Sequence, residues 1–287
     1  MPDAAGSGAA ASFGTRLRAA MQKHGQLCVG IDPHPALLDS WGLNDDADGL
    51  ERFSLTVLEA VGEGVAALKP QVGLFERHGS RGLAALEKLL AAAAAAEVLT
   101  IADAKRGDIG STMAAYAQAW LADGSPLAAD AVTLSPYLGY ESLRPALDLA
   151  AGTGRGVFVL ALTSNPEGAS VQHAGGADSV ARRIVEAASA DNAAADRDGT
   201  LGSVGLVVGA TVADAPAQLG LDLAALNGPV LAPGLGAQGA TGADLRRTFG
   251  RAYGNVLATS SRDILKAGPD PQGLRSAVDS TLEMLAD

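Results

Sequence analysis

Short, nearly continuous apolar runs alternate along this chain with stretches whose apolar residues recur at helical spacing. The runs fall at 27–32, 66–71, 98–105, 131–136, 157–163, 204–211, 229–234 and 255–262. Their lack of polar alternation fits strands buried on both faces. Helices are predicted between them at 50–62, 80–96, 112–122, 141–150, 176–193, 213–220 and 241–249, with a last one at 272–285. Eight alternating units predict an α/β fold, a closed (β/α)8 TIM barrel in a single domain. An open, doubly wound sheet is the competing arrangement. The connections 33–49 and 164–180 are longer than usual, and 191–203 reads as irregular. The Ala/Gly/Ser-rich residues 1–11 read as a flexible N-terminal segment ahead of a catalytic domain at 12–287.

Composition narrows the function. A length of 287 residues suits one such barrel. A net charge of −11 lacks the basic face that nucleic acid requires, so no nucleic-acid partner is expected. A small anionic substrate stays possible, because a few local cations and backbone N–H groups suffice to hold one. The single cysteine, Cys28, has no disulfide partner within the chain and lies in an apolar run, which suggests a reducing, cytoplasmic setting. No apolar stretch nears the roughly 18 residues of a membrane helix, and the N-terminus lacks the order of a secretory signal. No membrane association is expected.

In a barrel the chemistry gathers at the C-terminal strand ends. Here those ends carry Asp32, Lys69, Asp103 with Lys105, Thr163-Ser164, a glycine-rich segment from Gly234 to Gly239, and Ser260-Ser261-Arg262. Strand alternation puts Asp103 and Lys105 on one face, with Ala102 and Ala104 under the helices. Lys69 on the neighbouring strand reaches the same place, and Asp108 follows a turn at Gly107. Alternating cations and carboxylates keep each other ionised; a simple solvated salt bridge is the alternative. The glycine-rich segment and Arg262 form a second constellation, suited to phosphate. The four histidines show no metal-ligand spacing, so no metal site is expected. Ser135 and Thr163 have no adjacent histidine base, which argues against a Ser-His-Asp hydrolase.

The segment Asp103-Ala-Lys105-Arg-Gly-Asp108-Ile109 resembles the signature of the orotidine 5′-phosphate decarboxylase family. Further matches follow in order: Val29-Gly30-Ile31-Asp32-Pro33, Leu68-Lys69-Pro70-Gln71, Thr163-Ser164-Asn165-Pro166, Pro233-Gly234-Leu235-Gly236-Ala237-Gln238-Gly239 and Ser261-Arg262. The spelling and the long connections look like the longer bacterial branch. One departure is Ser261 before Arg262, where compact members usually have glycine. The resemblance implies decarboxylation of orotidine 5′-monophosphate (OMP) to uridine 5′-monophosphate (UMP), the last step of UMP biosynthesis, without a cofactor. It implies a catalytic network of Lys69, Asp103, Lys105 and Asp108, with Asp103 near the departing carboxylate and Lys105 protonating C6. Asp32 and Thr112 are implied to hold ribose hydroxyls, Ser164 the pyrimidine, and Gln238 and Arg262 the phosphate, with the loop 233–242 closing as a lid. It also implies a homodimer with shared active sites, each chain giving Asp108 and Thr112 to its partner.

Two alternatives stay open. One is a Mg²⁺-dependent sugar-phosphate decarboxylase or aldolase of related barrel type, which would use a carboxylate at the end of the second strand, where this chain has Lys69. The other is a barrel that only binds a phosphorylated ligand.

Overall fold

Eight parallel strands form one sheet: β1 Leu27–Ile31, β2 Ala67–Pro70, β3 Ile101–Arg106, β4 Ala131–Leu134, β5 Gly156–Leu162, β6 Val204–Val208, β7 Val230–Pro233 and β8 Val256–Ser260. The computed structural model describes residues 11–236 and 239–286. Each strand pairs with the next from β3 to β8, and β8 returns to β1, which pairs with β2. The bridges Leu68↔Thr100 and Gln71↔Asp103 close the remaining seam between β2 and β3. The eight predicted strands are therefore present, and the closed barrel replaces the open sheet. Strands β1, β2, β4 and β8 are buried at every position, as their unbroken apolar runs imply.

The major helices follow the predicted order, including Ala47–Val61, Gly79–Ala95, Gly110–Leu121 and Pro271–Ala286. Two expectations change. The stretch 191–203 is not irregular throughout: the helix Val180–Arg197 runs through its first half, started by a Ser179 cap that accepts the Arg182 N–H. The helix expected at 213–220 shrinks to the single turn Ala215–Gln218. The segment 1–11 lies outside the described residues except for Ala11.

The helix Phe13–His24 was not predicted, although Ser12 caps it and Phe13, Leu17 and Met21 recur every four residues. It covers the N-terminal end of the barrel. Its three apolar side chains share one buried cluster with an inward residue from every strand: Cys28, Ala67, Ile101, Ala131, Phe158, Val207, Leu231 and Leu257. Phe13 meets Phe158 edge-on at 5.9 Å between ring centroids. A methyl on Gly156 would lie 2.2 Å from the Phe13 ring, so glycine is what lets the helix seat. Arg16 ties it further to Asp130 at 2.5 Å, and Asp130 also takes the Thr100 N–H at 2.9 Å. The barrel floor is thus apolar. Two residues along the first four strands, the inward positions become Gly30, Lys69, Asp103 and Thr133. The polar site is the layer directly above the apolar one.

Candidate active site

Asp103 is the centre of the polar layer. Lys69 Nζ donates to its Oδ2 at 2.8 Å, and Lys105 Nζ donates to its Oδ1 at 2.6 Å. The Thr133 hydroxyl donates to the same Oδ1 at 3.0 Å. Depth distinguishes the two lysines. The side chain of Lys69 is 8% exposed and that of Asp103 11%, while that of Lys105 is 46% exposed. Lys69 is locked beneath, and Lys105 stands at the open mouth.

Burial by itself would push the Asp103 carboxyl up, but the two ammonium groups and their hydrogen bonds outweigh it and hold the group well below the usual carboxylate range. Burial likewise disfavours charge on Lys69, but Asp103 and then Asp32 overcome it and raise Lys69 above the usual lysine value. Both therefore stay charged at neutral pH. Cys28, one layer down, is a buried thiol pushed up to about 12 by burial, with partial relief from Lys69. It is inert as a nucleophile at neutral pH.

Asp103 and Lys105 do not meet through a regular pleat. The β3–β4 register passes from Ala102↔Val132 to Arg106↔Leu134, so three residues of β3 face the single residue Thr133. Lys105 sits in the left-handed region at φ 47°. The next side chain, Arg106, pulls the opposite way. It ion-pairs with Glu76 and lies 5.8 Å from the Tyr116 ring and 5.7 Å from the Trp120 ring, which pins the strand end to two helices.

The other predicted residues are scattered around the mouth. Asp32 follows β1, and its buried Oδ1 has no hydrogen-bond partner among the described residues. A methyl on the adjacent inward Gly30 would lie 1.9 Å from Ser261 Oγ, so glycine permits the ends of β1 and β8 to approach. Ser164 follows Thr163, which is stapled by Gln172: its Oε1 accepts the Thr163 N–H at 2.8 Å, and its Nε2 donates to the Thr163 hydroxyl at 2.7 Å. Arg262 is exposed after β8 and makes no ion pair with a described residue. Gln238, and with it the tip of the loop 233–242, lies outside the described residues.

Asp108 and Thr112 do not join the network of their own chain. Asp108 Oδ1 accepts the N–H of the next residue, Ile109, at 2.7 Å, and Asp108 forms no ion pair with a described residue. Thr112 is exposed on the first turn of Gly110–Leu121. Around them Ile109, Tyr137 and Leu138 are 62%, 79% and 53% exposed. The loops that carry them touch, since Ser135 N–H donates to the Arg106 carbonyl at 2.7 Å. A cavity of about 370 Å³ continues from Tyr137 past Leu160 and Thr163 to Val171 and Val180.

Sequence reasoning missed Thr133 and Arg106. The only signal for Thr133 was one polar residue in the run Ala131-Val132-Thr133-Leu134. Among the described residues, no group of three or more His, Cys, Asp or Glu side chains converges as a metal site, and no helix is long and apolar enough to cross a membrane.

The model of the "Orotidine 5′-phosphate decarboxylase / HUMPS family" matches residues 25–276. The chain is 58% identical to an orotidine 5′-phosphate decarboxylase of Salinispora arenicola, over 94% of this chain and 96% of that one. It is 58% identical to that of Streptomyces coelicolor, over 93% and 94%. A crystal structure from Streptomyces avermitilis, assigned as an orotidine 5′-phosphate decarboxylase, superposes with a TM-score of 0.92 at 55% identity, covering 99% of this chain and 98% of that chain. The Leishmania donovani OMP decarboxylase superposes at 0.75 with 31% identity, covering 96% and 98%.

Proposed function

The chain belongs to the orotidine 5′-phosphate decarboxylase / HUMPS family, and from that premise we propose that it converts OMP to UMP by stabilising a C6 carbanion electrostatically. Loss of CO₂ from C6 leaves an electron pair that the pyrimidine π-system cannot delocalise. A fixed positive charge beside C6 must therefore stabilise it. The observation that carries this reading is the half-exposed Lys105 ammonium, held at 2.6 Å by an Asp103 that is itself fixed by Lys69. The charge is in place before the reaction, so no reorganisation is needed when the carbanion forms. The same ammonium carries the proton that C6 then takes. The test is UMP formation from OMP, followed by absorbance, with EDTA present. Turnover at the rate seen without EDTA is expected; loss of turnover on chelation would transfer the chain to a metal-dependent decarboxylase chemistry.

The remaining roles are those that the family resemblance implies. Asp32, whose buried Oδ1 has no hydrogen-bond partner among the described residues, is suited to accept a ribose hydroxyl. Ser164, on the stapled end of β5, takes the pyrimidine. Arg262 and Gln238 take the phosphate, remote from C6, where its binding energy drives closure of the loop 233–242. Arg262→Ala is expected to weaken OMP binding by about 2–5 kcal/mol, as for a desolvated charge pair. The corresponding nucleoside, without phosphate, is expected to be nearly insensitive. Equal losses for both ligands, measured by competition binding, would make Arg262 a structural residue.

The functional unit is a homodimer with shared sites. Support comes from Asp108 and Thr112, which make no bond to their own network among the described residues, and from the exposed apolar Ile109, Tyr137 and Leu138 on the adjoining loops. The partner's Asp108 would complete the alternating array of two lysines and two aspartates. The reaction is placed in the cytoplasm, in keeping with the free, buried Cys28.

A further inference from the structure

We infer that Thr133 is a positioning residue that sets the catalytic register of Lys105 against Asp103, an assignment that rests on the proposed decarboxylation. The bulge in β3 is the starting point. Between two regular pairs, Asp103, Ala104 and Lys105 face Thr133 alone. In a straight ladder each backbone N–H of β3 finds a strand carbonyl. At Lys105 the backbone turns to φ 47°, and its N–H goes instead to Thr133 Oγ1 at 2.9 Å. A long side chain in the left-handed region is strained, and such strain persists only where the surroundings over-determine it. The threonine hydroxyl supplies that constraint.

One hydroxyl does two things here. Because its oxygen accepts from the Lys105 N–H, its own hydrogen is free to point at Asp103 Oδ1, 3.0 Å away. The same Oδ1 receives the Lys105 ammonium at 2.6 Å. The result is a closed ring: Lys105 backbone to Thr133, Thr133 to the carboxylate, carboxylate to the Lys105 side chain. The ring fixes both ends of Lys105. Thr133 is 1% exposed, and a β-branched side chain on a strand has few χ1 choices, so the hydroxyl cannot swing away. Without it Asp103 keeps Lys69 and stays charged, but the Lys105 N–H loses its partner and the bulge loses a restraint at the catalytic residue itself. Lys105 then has its charge and its proton in the wrong place, and electrostatic catalysis is sensitive to displacements of about 1 Å.

Among the described residues the Thr133 hydroxyl bonds only Lys105 and Asp103, at the proposed reacting centre, so its loss is expected in kcat rather than in KM. The experiment compares Thr133→Val and Thr133→Ser with the parent in steady-state OMP decarboxylation, with melting temperatures measured alongside. Parental turnover tests the activity itself; only the ratios test Thr133. For Thr133→Val, which keeps the shape and removes both hydrogen bonds, kcat is expected to fall about 10- to 100-fold with KM within about threefold. For Thr133→Ser, which keeps the hydroxyl, kcat is expected within about threefold of the parent. Three results would overturn the assignment: parental kcat in the valine variant, equal loss in both variants, or a loss confined to KM. If the valine variant does not fold, the serine variant decides, since a role in packing alone predicts that losing the methyl group is what costs turnover.

Discussion

Lys105→Ala is expected to abolish OMP turnover, by at least about four orders of magnitude, while the barrel still folds. The size follows from two losses at one atom. General acid catalysis by a positioned group contributes about 10²–10⁴-fold, and a preorganised charge at the reacting centre about 10²–10³-fold more. Both leave with the same ammonium. The fold survives because of where Lys105 stands. Its side chain is 46% exposed, so truncation opens no cavity. Asp103 keeps Lys69 at 2.8 Å and the Thr133 hydroxyl at 3.0 Å, so no buried charge is stranded. The melting temperature should stay within about 2 °C of the parent. Turnover within about tenfold of the parent would remove Lys105 from the mechanism.

Chains bearing Lys105→Ala and Asp108→Ala, each expected to be nearly inactive alone, are expected to regain activity when refolded together in equal amounts. In a two-fold dimer with shared sites, random exchange makes about half of the dimers mixed. Each mixed dimer has one site with both defects and one site with neither. About a quarter of all sites are then intact, and activity should return to about a quarter of the parental value. The structure bears on this through Asp108. A residue three positions after Lys105 would be expected to pair with it, yet the Asp108 carboxylate turns to the Ile109 N–H instead. If Asp108 served its own site, every site would keep one defect and nothing would return. Absence of rescue, with mixed dimers verified through two different tags, would reject the shared site and leave the roles of Lys69, Asp103 and Lys105 untouched.

The barrel was legible in the sequence because its cause is local. A strand buried on both faces has to be apolar at nearly every position, and eight such runs stand out wherever they lie. The same rule exposed Lys69, Asp103 and Lys105, since a charge inside an apolar run has few innocent explanations. The helix Phe13–His24 obeyed local rules as well, and its every-fourth apolar stripe was there to be read. What was hidden is that it packs against the barrel floor, because all eight strands contribute to the surface it covers.

Spacing along β3 placed Asp103 and Lys105 on one face, but it assumed a regular pleat. The bulge that brings them together depends on the partner strand, where one residue, Thr133, faces three. Thr133 lies 30 residues from Asp103 in the chain, and no periodicity connects them. The different fates of the two lysines are of the same kind. Lys69 and Lys105 are equivalent as letters in a strand, yet one is sealed under the site and the other open at its mouth. Alternation is a property of one strand and can be counted along it. Register, bulging and depth are set between strands, by packing around the whole closed barrel, and only the tertiary structure decides them.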